Sequence, residues 1–136
     1  MADCEVVRRG QTHEGAQRLL YAAGITSATV ANRGLCLTSA ELPVGARSAS
    51  HVHSGIESAG FVVSGEIEMW WGDRLESHAR LGAGDFAYIP SDVPHVVGNA
   101  GDVPAVVVVA HSSASDQDGI ELRPDLDALL DGELGS

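Results

Sequence analysis

From about residue 35 to residue 110, short apolar runs are broken by Gly, Pro, Asn or Asp every eight to twelve residues. That rhythm leaves no room for long helices and predicts an all-β sandwich or barrel. Leu35 to Leu42 reads as a strand ending at the turn Pro43-Val44-Gly45, and Phe61-Val62-Val63 leads through Ser64-Gly65 into another. Glu66 to Trp71 alternates polar with apolar residues, as a strand with one wet face does. Gly72-Asp73 reads as a two-residue hairpin loop, with the strand resuming at Arg74-Leu75-Glu76. Asp85 to Ile89 stops at Pro90, and Ala105 to Ala110, apolar on both faces, predicts a buried central strand. Towards the ends, Gln17 to Ala23 suits a strand or a short helix, with the strand preferred. Pro124 to Leu130 suits a short C-terminal helix closed by Gly132.

A chain of 136 residues suits a single domain, 1–136. Its net charge of −11, with eight arginines and no lysine, argues against nucleic acid, whose phosphates need clustered cations. Part of the acidity lies in a tail from about 115 to 136, read as a solvated end. No apolar stretch approaches the ~20 residues that span a bilayer, so no membrane role is expected. The amino terminus has no basic run before an apolar core, and Cys4 and Cys36 have no metal-site or disulfide spacing. A cytoplasmic protein with free thiols is the expectation.

The chemistry concentrates in two blocks. In the first, Gly45 is followed by His51-Val52-His53, then Glu57 and Gly65; in the second, Gly84 opens a run through Pro90 and Pro94 to His95 and Asn99. Histidines two apart on an extended strand face the same way, so His51 and His53 can reach one point. A turn at Gly55 can return Glu57 towards it. Three imidazoles and a carboxylate suit one divalent ion such as Fe, Ni, Co, Zn, Mn or Cu.

These blocks resemble the two sequence motifs of the cupin superfamily. One is Gly, five residues, His-x-His, three or four residues, Glu, about six residues, Gly; the other is Gly, five residues, Pro-x-Gly, two residues, His, three residues, Asn. Two departures stand out: seven residues separate Glu57 from Gly65, and Asp92 replaces the glycine after Pro90. Asp tolerates left-handed backbone angles, so that turn can survive. The resemblance implies a double-stranded β-helix, a jelly-roll barrel, with its motif core at 45–99. It implies one metal ion on His51, His53, Glu57 and His95, iron foremost among the candidates, and a homodimer.

Other residues suggest themselves around such a site. His111 shares strand parity with Val107 and Val109 and is a candidate proton shuttle. Tyr88 is a candidate to aim its hydroxyl at the metal, with core packing as the alternative. Arg47, Phe61, Trp70 and Phe86 are candidates for the substrate pocket, although Trp70 and Trp71 point to opposite faces. His13 and His78 read as surface imidazoles. The resulting expectation is a metal-dependent enzyme acting on a small, oxygen-rich molecule that chelates the metal, with dioxygenase-type chemistry in front. Redox-neutral cyclisation, isomerisation or dehydration, as in polyketide cyclases, is the alternative, and a non-catalytic ligand-binding barrel is the competing class.

Overall fold

The structure is a computed structural model that describes residues 3–8, 10 and 12–131. Among them, eleven strands form two antiparallel sheets. The strands are β1 (Thr12–Glu14), β2 (Leu20–Ile25), β3 (Cys36–Leu42), β4 (His51–His53), β5 (Ser58–Ser64), β6 (Glu66–Trp71), β7 (Ser77–Gly82), β8 (Phe86–Ile89), β9 (His95–Gly98), β10 (Ala105–His111) and β11 (Ile120–Leu122). One sheet has the order β1-β2-β3-β10-β5-β8, the other β11-β4-β9-β6-β7. From β3 onward the chain passes back and forth between the sheets, apart from the β6–β7 hairpin; this is the winding of a double-stranded β-helix, and a short helix α1 (Pro124–Asp127) follows.

The apolar run at β10 lies in mid-sheet, as its sequence implies: Val107 pairs with Ala40 on one side and Val62 on the other. Inward residues of both sheets, including Leu42, Val62, Ile67, Met69 and Val107, make the principal core. The preferred strand at residues 17–23 forms over Leu20–Ile25, after a turn at Gly15 to Leu19. Gly65 has φ 79°, and a Cβ there would meet Pro104 O at 2.7 Å, so glycine is required between β5 and β6. Asp92 adopts φ 65°, the left-handed turn its side chain tolerates.

The hairpin expectation is corrected. The connection from β6 to β7 spans residues 72–76, with Trp71 opposite Ser77, instead of the two-residue loop Gly72-Asp73. Leu75 takes φ 54° and is buried against Trp70 and Val96, while Glu76 accepts the Arg74 N–H at 2.9 Å. Burial of Leu75 outweighs the shorter loop.

A second, smaller core lies outside the β4–β9–β6 sheet. Trp70 and Val96 project outward there and are covered by Leu126 of α1 and by Leu130 of the 3-10 turn Ala128–Leu130. Pro124 at the helix start and Asp125 and Asp127 in the first turn favour that end. Gly132, read as its terminator, lies outside the described residues. The helical segment is tied to the residue before His51: Ser50 donates its N–H to Asp127 Oδ1 at 2.8 Å and accepts the Arg123 N–H at 2.7 Å. No helix among the described residues is long and apolar enough to cross a membrane.

Candidate metal centre

His51 on β4 lies opposite His95 on β9 in the ladder, and His53 follows two residues along the same face. Strand periodicity therefore brings three imidazoles together at the inner surface. Each offers a ring nitrogen within 4.8 Å of the other two, and all three side chains are buried. Ring centroids lie 5.0 Å apart for His51 and His53, 4.2 Å for His51 and His95, and 5.5 Å for His53 and His95.

Backbone carbonyls orient the rings. His51 donates Nδ1–H to Ala49 O at 2.7 Å, and His95 donates Nδ1–H to Val93 O at 2.9 Å. A carbonyl oxygen only accepts, so the Nε2 of each ring keeps its lone pair for a ligand. Nδ1 of His53 is buried without a hydrogen-bond partner. Burial, together with the neighbouring imidazoles, holds His51 well below the ordinary histidine range and brings His53 to about 3 and His95 to about 4. The three rings are thus neutral at physiological pH, the state in which imidazole ligates a cation. Convergent lone pairs, an orphaned ring nitrogen and no proton to displace all fit a bound divalent ion.

Above the trio lies a cavity of about 70 Å³. Its walls are apolar, from Leu19, Leu42, Ile67, Met69, Val107 and Val109 among others, and no Asp, Glu or Arg of the described residues lines it. Gly60 faces Ala87 across β5 and β8, and these small residues leave the room that larger ones would fill. His111 enters the cavity wall from β10, as its parity predicts. It is buried, its ring lies 4.7 Å from that of His53, and its Nδ1 is 2.6 Å from Ser58 Oγ.

Several sequence expectations are corrected here. Glu57 does not join the trio: it is exposed, its N–H donates to Ser112 Oγ at 3.0 Å and its carbonyl accepts the Ser112 N–H at 3.1 Å. The residue that has six others between itself and Gly65 is Ser58, and it is Ser58 that begins β5 facing inward, 3% exposed. Tyr88 and Phe86 point outward, 60% and 76% exposed, because Ala87 and Ile89 take the inward positions of β8. Phe61 packs its ring, tilted, against that of Phe86, with centroids 4.8 Å apart, on that same outer side. Trp70 belongs to the outer core, and Trp71 is the tryptophan packed against the inner one. Arg47 lies away from the cavity and donates to Leu130 O at 2.7 Å and Asp131 Oδ1 at 3.1 Å. Parity with His51 does not carry across residues 48–50, which are not in strand conformation. His78 stacks on Trp70 and bonds Glu68 at the surface, and the His13 side chain lies outside the described residues. Cys4 and Cys36 are free.

Sequence reasoning passed over Ser58, although the seven-residue spacing was its signal. It also passed over Gln17, Leu19 and Tyr21, which reach the cavity from the start of the chain with no motif to mark them.

No curated protein is similar in sequence. Among solved structures, an uncharacterized conserved protein with a double-stranded β-helix domain from Klebsiella pneumoniae superposes with TM-score 0.60 at 22% identity, over 83% of this chain and 84% of that one. The Lactobacillus farciminis oxalate decarboxylase formate complex gives TM-score 0.68 at 18% identity, over 82% of this chain and 33% of that one. An oxalate oxidase gives 0.60 at 24%, over 67% and 47%. At these identities the likeness shows the fold alone. The cupin-domain family model matches residues 38–111, more than half of the sequence and the stretch that carries all three clustered histidines, and the chain belongs to the cupin family.

Proposed function

We propose that this protein is a metal-dependent enzyme that binds one divalent ion on His51, His53 and His95 and acts on a small molecule with two neighbouring oxygens. The observation that carries the reading is the convergence of three neutral, backbone-oriented imidazoles at the base of an apolar cavity. When bound, the ion supplies Lewis acidity to a chelating substrate and, as Fe(II), reducing equivalents for dioxygen. Fe(II) and dioxygenase-type chemistry are our first assignment, because a largely apolar cavity admits dioxygen and shields reactive species from bulk water.

The walls say what the rest of the substrate is. Two of the structural neighbours are oxalate enzymes by name, but no arginine of the described residues lines this cavity to meet a second carboxylate. The chain's own residues therefore suit one chelating end, such as a diketone, hydroxy-ketone, enediol or keto acid, followed by a compact apolar body. Tyr21 stays a neutral hydroxyl in that wall, since burial and the nearby Asp116 push its ionisation up.

Redox-neutral cyclisation or isomerisation on the same ion is the second reading. It needs a group that moves a proton, and His111, held by Ser58, is the buried imidazole beyond the trio. Oxygen uptake by Fe(II)-loaded protein with a panel of diketones, catechols and keto acids separates the readings. Uptake matched to substrate loss, and absent in His51→Ala, is expected. Equal turnover without oxygen transfers the assignment to the redox-neutral reaction, and binding without turnover to a ligand-binding barrel.

A further inference from the structure

We infer that the fourth protein ligand of this centre is His111, held by Ser58, so that the ion sits among four imidazoles and Glu57 takes no part. The inference rests on the metal reading above and goes beyond it in naming the donor set.

The argument starts from what replaces the carboxylate. The position separated from Gly65 by six residues, where the first motif places its acid, holds Ser58, which has no carboxylate to offer. Its hydroxyl instead bonds the His111 ring at 2.6 Å. Glu57 lies just before β5 and is exposed, its N–H and carbonyl are both paired with Ser112, and its carboxylate is not among the clustered donors.

His111 has the features of the three rings already described. It is buried, it lines the same cavity, and its Nδ1 is engaged by an oxygen, as in His51 and His95. With Nδ1–H given to Ser58 Oγ, Nε2 is the free donor. Two imidazoles on adjacent positions of one ion, with metal–nitrogen bonds of about 2.1 Å, have ring centroids roughly 4.5–5.2 Å apart. The His53–His111 separation of 4.7 Å lies in that window, and the trio's separations of 4.2, 5.0 and 5.5 Å straddle it. The His111 nitrogens lie outside the 4.8 Å set that the trio shares, so binding draws this ring inward by a turn about its side chain.

A set of four neutral donors has a chemical consequence. The ion keeps its full double charge, where a carboxylate would cancel half, and the substrate it favours is a chelating monoanion such as a deprotonated diketone or a keto acid. All-imidazole ligation also suits Fe, Ni, Cu and Zn better than Mn.

The test uses Co(II) as the probe on the full chain, with visible absorption reporting the ligand field and chelator competition reporting affinity. His111→Gln is expected to change the absorption bands and weaken binding by at least about tenfold, whereas Glu57→Gln leaves both as they are. Ser58→Ala, which frees the His111 ring without removing it, should weaken binding less than His111→Gln. Melting of each variant in excess chelator shows whether it folds. Loss of binding in Glu57→Gln, or unchanged bands in His111→Gln while His51→Ala abolishes binding, overturns the inference and leaves the trio standing. A parent protein that takes up no Co(II) overturns the metal reading along with it.

Discussion

His51, His53 and His95 face inward from strands whose alternate residues Val52 and Val96 face outward, as does Trp70 of the neighbouring β6. The inner side of this sheet is an economical chemical surface: three unprotonated rings and a cavity that no Asp, Glu or Arg among the described residues lines. The outer side is packed like an ordinary core, under Leu126 and Leu130, with Arg47 fastening the chain beyond them. A polar group buried inside needs a ligand to repay its lost hydration, while an indole buried outside needs only apolar cover. The comparison implies that the outer face supplies stability, and that on the proposed metal reading the inner face gains stability when an ion binds.

Mutations on the two faces should separate those roles. Trp70→Ala empties the outer core and should cost about 3–5 kcal/mol, seen as a large fall in melting temperature, with metal affinity of the folded protein unchanged. A tenfold change in affinity would show that the outer face shapes the site. Metal removal is the converse. Chelation should lower stability by about 2.7 kcal/mol relative to protein with free metal at a hundred times its dissociation constant, and His51→Ala/His53→Ala should lose that difference.

Acid sharpens the contrast further. The inner histidines are neutral in the fold because burial lowers their pKa, to about 3 for His53 and about 4 for His95, from 6.5 in the unfolded chain. Below pH 6.5 the unfolded chain binds protons that the folded one refuses, so metal-free stability should fall steadily from there towards pH 4. Chemical denaturation across that range checks it, and a flat profile would mean that the rings are solvated. The smallest effect is at the outer fastening. Arg47→Ala should cost about 1 kcal/mol, since its partner Asp131 is largely exposed and its other bond is to the Leu130 carbonyl.

The same two faces show how far the sequence could be read. The trio was legible because His-x-His needs nothing beyond the two-residue period of a strand, and because the second block places His95 on a neighbouring strand. The barrel was legible from its turns and from the Val106–Val109 run. Aromatic side chains were not, since alternation says which residues share a face but not which face is inside. On β8 the small Ala87 takes the inward place and Phe86 the outward one, and for Trp70 the deciding partner is a helical segment more than fifty residues away. Glu57 failed differently. The motif tolerates a variable spacing before its acid, and only the pairing of β5 with β10 fixes that Ser58, opposite His111, points in.

The central claim is most directly tested by the metal content of the protein purified without an affinity tag, measured beside its His51→Ala/His53→Ala variant. The account predicts close to one equivalent of a divalent transition metal in the parent and almost none in the variant, with both chains folded. A folded parent that holds no metal and takes none up, or a variant that retains it, would contradict the centre described here.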